Sequence, residues 1–154
     1  MVLVGDVAVG DSVEFTMTGF PKRLWDHPWS VNLEGSVRAP SHHQTSGVYN
    51  SQGWAAALGG APLGPAFVGN NHARDLRGGI PETLQNLRSQ GLQFFGAGTD
   101  RTSAAAPCTF SDDSGEYVLL GYGWHVIGCV PAGDNDPGVN PLDAERARDS
   151  VEAL

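Results

Sequence analysis

Residues 68–107 read VGNNHARDLRGGIPETLQNLRSQGLQFFGAGTDRTSAAAP, and the order of residue types in this stretch decides the fold class. An apolar run, Ala66-Phe67-Val68, leads into the polar turn Gly69-Asn70-Asn71-His72. The spacing then predicts a helix. Pro81 suits its first turn, Glu82 its positive end, and Gly91 its stop. Ile80, Leu84 and Leu87 recur at helical spacing and supply an inward stripe. Leu92 to Phe95 is a second apolar strand, closed by the turn Gly96-Ala97-Gly98. Strand, helix and strand make a βαβ unit with a right-handed crossover. Polar groups just past the carboxyl end of such a strand are where α/β proteins place their chemistry.

Working outward, 154 residues make one domain, spanning 1–154. Apolar residues form 40% of the chain, enough to bury a core. With 21 Gly and 10 Pro, turns are many and regular elements short. The net charge is −8 and the nine Lys and Arg are scattered, which argues against a nucleic-acid partner. The acidic balance is compatible with cation binding through carboxylates. Cys108 and Cys129 form neither a disulfide framework nor a CxxC pair and read as small buried hydrophobes. No apolar run approaches the ~20 residues of a membrane span. The first residues lack the basic region of a signal peptide, so the expected placement is cytoplasmic.

Val2 to Val4 reads as a first, central strand with Asp6 at its carboxyl end. Val13 to Met17 alternates in the β manner. Pro21 opens a short helical turn through Trp25. Trp29 to Leu33 is a strand that ends on Asn32-Leu33-Glu34-Gly35. Val37 to Ser51, with Pro40 and the pair His42-His43, reads as a polar loop. Asn50 or Ser51 caps a short helix through Leu58, closed by Gly59-Gly60. Ser103 to Ala106 is a short helix stopped by Pro107. Cys108 to Phe110 and Glu116 to Trp124 flank Asp112-Asp113-Ser114-Gly115 as a hairpin, which makes His125 a core or edge histidine. A last helix starts near Asp143 and presents Ala144, Ala147, Val151 and Leu154 on one face that needs a partner.

Three polar sites therefore end three strands: Asp6, Asn32 with Glu34, and Asn70-Asn71-His72. If the strands lie side by side, these groups converge at one edge. Carboxylate, amide oxygen and imidazole suit a divalent metal, and two metals clamp a phosphate and activate water. Taken singly, each has an ordinary reading: a turn residue, a cap, a structural histidine. The case rests on their occurring together.

The Gly69-Asn70-Asn71-His72 segment through Pro107 closely resembles the CapA-type family, named for poly-γ-glutamate capsule biosynthesis. Gly5-Asp6-Val7, Asn32-Leu33-Glu34 and Pro137-Gly138-Val139-Asn140-Pro141-Leu142 follow the family's order too. The resemblance implies kinship with the calcineurin-like metallophosphoesterases. The fold expected is α/β, a metallo-dependent phosphatase-like αββα sandwich, of which the chain holds the N-terminal portion. By the same resemblance, Asp6, Glu34 and Asn71 hold divalent metal (Mn, Zn or Fe). His72 is the catalytic acid that protonates a leaving oxygen. Asn32, Asn70 and Asp75 stand behind them, Asp75 orienting the His72 ring. The implied substrate is an envelope polymer, through its phosphate or γ-glutamyl groups.

The departures from the family are specific. Ala8 stands where the wider superfamily has His, and Leu76 where the family often has Tyr. The family's later His-containing blocks have no match, since His27, His42, His43 and His125 lack the right neighbours. The expectation is a domain truncated at its C-terminus, with half a site. The alternative is a non-catalytic binding or assembly module, its open C-terminal side covered by a partner or a second copy. In the plainest reading, Asp6, Glu34 and His72 are turn and capping residues of an ordinary α/β domain.

Overall fold

The computed structural model describes residues 1–11, 19–38, 46–76 and 78–154, so the expected strand at Val13–Met17 and the pair His42-His43 lie outside the described residues. In chain order the elements are β1 (Val2–Val7), β2 (Trp29–Leu33), β3 (Ser36–Val37), β4 (Tyr49–Asn50), β5 (Ala66–Phe67), α1 (Gly79–Ser89), β6 (Phe94–Phe95), β7 (Ala97–Gly98), α2 (Arg101–Ala105), β8 (Cys108–Asp112), β9 (Gly115–Leu119), β10 (Gly138–Val139) and α3 (Ala144–Glu152). Short 3₁₀ turns occupy Lys22–Leu24, Trp54–Leu58 and His125–Ile127.

The main sheet has the order β1-β2-β5-β6, every neighbouring pair parallel. This is the α/β arrangement that the βαβ reading predicts. Strand β1 is at the edge of this sheet and not central as expected. The reason lies in its side chains. Trp29, Ser30, Val31 and Leu33 of β2 are all buried, so both faces of that strand are covered, as a central parallel strand requires. Strand β1 leaves Leu3 76% exposed and has only one face to bury.

A bulge interrupts β1. Val4 lies opposite Val31, but the next pair is Asp6 with Asn32, so Gly5 is an extra residue. The insertion reverses which side of the sheet each later residue faces. Asp6 is turned to the exposed side and Val7 enters the core.

Helix α1 buries Ile80, Leu84 and Leu87, the stripe read from the spacing. It is also pinned by a polar contact. The buried Thr83 hydroxyl donates to Gly79 O at 2.9 Å and accepts from Val37 N at 2.8 Å, tying α1 to β3. Behind β5, the Phe67 ring sits against backbone. A Cβ on Gly69, Gly96 or Gly121 would come within 2.8, 2.5 and 2.8 Å of Phe67 Cε2. Glycine is required there by close approach of backbone to ring.

Several local expectations change. The polar stretch after Val37 contains β4, which pairs in parallel with β3, Ser36 opposite Tyr49 and Val37 opposite Asn50. Asn50 caps no helix. Gly53 occupies the capping position of the Trp54–Leu58 turn, and the Asn50 side chain is fully buried elsewhere. Helix α2 starts earlier than Ser103, because Asp100 forms a capping box with Ser103. That hydrogen bond from the Ser103 backbone holds the Asp100 carboxyl below its usual range.

The hairpin β8–β9 forms as expected, but its second arm stops at Leu119. Trp124 and His125 fall in an exposed 3₁₀ turn, so His125 is neither a core nor a sheet-edge residue. Asp143 caps α3 by accepting from Arg146 N at 2.9 Å. None of the α3 residues is buried. Cys108 and Cys129 are free and buried, and that burial pushes both thiols above the usual range. Among the described residues, no helix is long and apolar enough to cross a membrane.

Candidate functional site

Parallel pairing places the carboxyl ends of β1, β2 and β5 on one edge. Asp6 lies opposite Asn32, and Asn32 lies opposite Phe67, three residues before Asn70. The polar residues that follow these strands meet there. The Asn32 amide Nδ2 donates to Asp6 Oδ1 at 2.7 Å and to Glu34 Oε2 at 2.6 Å. One amide therefore sits between two carboxylates and offers each a hydrogen.

Asn70 ties this cluster to the next turn. It is 6% exposed, and its amide uses every hydrogen-bonding position it has. Its Nδ2 donates to Leu33 O at 2.8 Å and to Asn32 Oδ1 at 3.1 Å. Its Oδ1 accepts from Gly35 N and from His72 N, each at 3.2 Å. The contact with Asn32 Oδ1 also orients the Asn32 amide, leaving Nδ2 for the two carboxylates.

His72 is half-buried. Its Nδ1 lies 2.8 Å from Asp75 Oδ2 and its Nε2 lies 4.0 Å from Glu34 Oε1. With the Asp75 carboxylate as acceptor, Nδ1 carries the hydrogen and Nε2 is presented towards Glu34. Asp75 Oδ2 also accepts from Val48 N at 2.8 Å, which fixes the carboxylate that fixes the ring. Asn71 is half-buried beside Gly128, where an added Cβ would lie 3.9 Å from Asn71 Cβ.

The seven residues singled out from the sequence thus fall in one neighbourhood, six of them joined by the contacts above. They suit a hard or borderline divalent cation in kind, with three carboxylates, three amides and an imidazole among them. They do not suit one in number. Among the described residues, no group of three or more His, Cys, Asp or Glu side chains is placed to hold a metal ion. Asp6 and Glu34 face a shared amide hydrogen donor in place of a cation.

Sequence reasoning missed Asn50. Its Oδ1 accepts from Val9 N at 2.7 Å and its Nδ2 donates to Glu34 O at 2.8 Å. These partners are 41 and 16 residues away, so no local pattern announces them. Cys129, buried as read from the sequence, brings its Sγ to 3.8 Å from Gly69 O behind the Asn70 turn. At Cys129 the negative charge of Glu34 adds to burial in raising the thiol.

The family model for the bacterial capsule synthesis protein PGA_cap matches residues 25–153. No curated protein matches the chain. The matched region holds β2 with Asn32 and Glu34, the Asn70-Asn71-His72 turn, α1 and the Pro137–Leu142 segment, while Asp6 precedes it. With most of its length and all but one of the clustered residues inside that match, the chain belongs to the bacterial capsule synthesis protein family PGA_cap.

Proposed function

We propose that the chain serves the synthesis of a capsule-type envelope polymer, poly-γ-glutamate or a relative, through a metallophosphoesterase-like site at the carboxyl edge of the main sheet. One observation carries the reading. Asp6, Glu34 and His72 come from three separate strand ends, yet they stand within a single hydrogen-bonded cluster, with His72 backed by Asp75 at 2.8 Å. The proposed reaction is hydrolysis of a phosphate ester or a γ-glutamyl amide, and the proposed compartment is the cytoplasm, with envelope association through the polymer. The proposed architecture around it is the αββα phosphatase-like sandwich.

In this reading Asp6, Glu34 and Asn71 hold a divalent cation, Mn, Zn or Fe. Such a cation polarises a phosphoryl or carbonyl oxygen and lowers the pKa of a bound water. The chain's own residues do the rest. Asp75 and the Val48 amide hold the imidazole so that Nε2 faces the site; in the imidazolium form, with a hydrogen on each ring nitrogen, Nε2 gives its proton to the leaving oxygen and the ring returns to the Nδ1–H form bonded to Asp75. Asn32 keeps the two carboxylates aligned, and Asn70 keeps Asn32 in place. In this reading the small number of ligands makes for weak binding and slow turnover.

Calorimetric titration of Mn²⁺ and Zn²⁺ into the wild-type chain tests this. Asp6→Ala and Asn71→Ala are each expected to weaken binding by roughly tenfold or more. Equal binding in all three proteins removes the reading.

A second reading is favoured by α3, where no residue is buried and Val151 is 61% exposed, and by Leu154 just beyond it, 65% exposed. In it the chain is a non-catalytic assembly module whose exposed apolar face meets a partner, in the simplest case a second copy. Size-exclusion chromatography with light scattering is then expected to give a dimer that Val151→Lys dissociates. A monomer at every concentration tested, with or without metal, counts against self-association.

A further inference from the structure

The neutral His72 ring carries a single N–H and has two carboxylates that could accept it. Asp75 Oδ2 stands 2.8 Å from Nδ1, and Glu34 Oε1 stands 4.0 Å from Nε2. Whichever accepts the hydrogen decides which nitrogen is left bare. Asp75 has the nearer place, and the same oxygen also accepts from Val48 N at 2.8 Å.

The segment that brings Val48 N to Asp75 lies tight against that side chain. A Cβ on Gly47 would stand 2.8 Å from Asp75 Cβ, 3.3 Å from Cγ and 3.2 Å from Oδ2. The first distance is well inside carbon–carbon contact, and it falls on the root of the side chain, which cannot swing aside as a free end does. Gly47 also has φ +95°, in the left-handed region. The Val48 peptide has little room to retreat. Val48 O accepts from Ser36 N at 3.4 Å, and a Cβ on Gly35 would run into that carbonyl. The next residue, Tyr49, pairs with Ser36 where β4 meets β3.

We infer that Gly47 is a positioning residue for His72: its missing side chain lets Asp75 fit between the Val48 amide and the imidazole, which holds the ring's hydrogen on Nδ1 and keeps Nε2 turned towards Glu34. Gly47 itself touches no substrate. The inference rests on the reading of His72 as proton donor, since a ring that gives up its Nε2 proton is left in the Nδ1–H form. It requires no cation.

A glycine kept only for its turn asks nothing of Asp75, and alanine there brings backbone strain alone. At Gly47 the added methyl has also to displace Asp75. Both bonds to Oδ2 then lengthen together, and Glu34 becomes the competing acceptor. Gly60 supplies the comparison, with φ +82° and nothing within 4 Å of an added Cβ.

The test reads the tautomer. Two-bond ¹H–¹⁵N correlation spectra of the imidazole, recorded where the ring is neutral and assigned through His72→Gln, separate Nδ1–H from Nε2–H; thermal melts run in parallel. Wild type is expected in the Nδ1–H form. Gly47→Ala is expected to lower the ratio of Nδ1–H to Nε2–H roughly tenfold or more, as the loss of a hydrogen bond to a charged acceptor implies. Gly60→Ala is expected to stay within about twofold of wild type. Gly47→Asn keeps the Cβ in a residue type that tolerates positive φ, and it replaces alanine if that variant fails to fold. A wild-type ratio in the Gly47 variants, or an equal shift in Gly60→Ala, overturns this role and leaves the reading of His72 intact. A wild-type ring in the Nε2–H form overturns this role together with the proton route given for His72. The spectra involve neither metal nor turnover, so a chain that binds no cation still decides the role of Gly47.

Discussion

Asn70→Asp is expected to destabilise the chain by about 3–5 kcal/mol, the range for an uncompensated buried charge, although the two side chains have nearly the same shape. Asn70 donates both amide hydrogens to oxygens, Leu33 O at 2.8 Å and Asn32 Oδ1 at 3.1 Å. A carboxylate in that place faces two acceptors with no hydrogen to offer. Only the contacts from Gly35 N and His72 N survive. At the chain's size this corresponds to a fall in Tm of about 10 °C or more. The deficit should also depend on pH. Burial raises the pKa of the introduced carboxyl above its unfolded value, and protonation restores one donor. Its folded form therefore binds the proton more readily than the unfolded one, and the penalty shrinks as pH falls towards the unfolded carboxylate range near about 4. Denaturant unfolding at neutral and acid pH reads both effects. A loss under about 1 kcal/mol at neutral pH would show that Asn70 is not a tie between the strands.

Gly96→Ala is the other large change expected, at about 2–5 kcal/mol from two sources. Gly96 has φ +91°, a conformation that alanine adopts only with strain of roughly 1–2 kcal/mol. Its added Cβ would also stand 2.5 Å from Phe67 Cε2 and 2.8 Å from Cδ2. Overpacking of that kind costs about 1–3 kcal/mol. The two parts can be separated. Gly121 has no positive φ, but its Cβ would meet Gly96 Cα at 2.7 Å and Phe67 Cε2 at 2.8 Å. Gly121→Ala therefore carries the packing cost alone and should be the milder variant. A double-mutant cycle with Phe67→Ala should show coupling above about 1 kcal/mol for Gly96→Ala, because removing the ring removes the clash but not the strain. Strict additivity would mean that the ring gives way and the strain is the whole effect.

How much of this was legible in the sequence depends on the range of the interaction. Strand β2 carries Trp29 to Leu33 as read, since Trp29, Val31 and Leu33 alternate with Ser30 and Asn32 at a strand's period of two, although its central place in the sheet was not read. The α1 stripe and the start of a last helix near Asp143 were equally plain, being patterns of neighbours three or four residues apart. The gathering of Asp6, Asn32, Glu34, Asn70 and His72 followed from placing each at a strand's carboxyl end, once the strands proved parallel and adjacent, whereas Asp75 was offered by the family resemblance alone. What stayed hidden was long-range or geometrical. Asn50 looks like a cap because it precedes a helical turn, and only the fold reveals partners at Val9 and Glu34. Two-residue strands such as β3 and β4 are too short for alternation to show. The Gly5 bulge leaves no compositional trace, and without it Asp6 would seem to share a face with Val4.

The two buried asparagines have a consequence for when the cluster exists at all. It is assembled from segments around Asp6, Glu34, Asn50 and Asn70, each supplying a part that is meaningless alone. Parallel strands of this kind come together only through distant contacts, which form late and together. Opening any one of the four loops releases the others' partners, so the edge has no half-assembled version for a small molecule to recognise. Whatever binds there selects the complete fold from among all partly ordered forms and stabilises the whole chain by mass action. Occupancy of this edge therefore reports only fully folded molecules and, by the same linkage, raises their share.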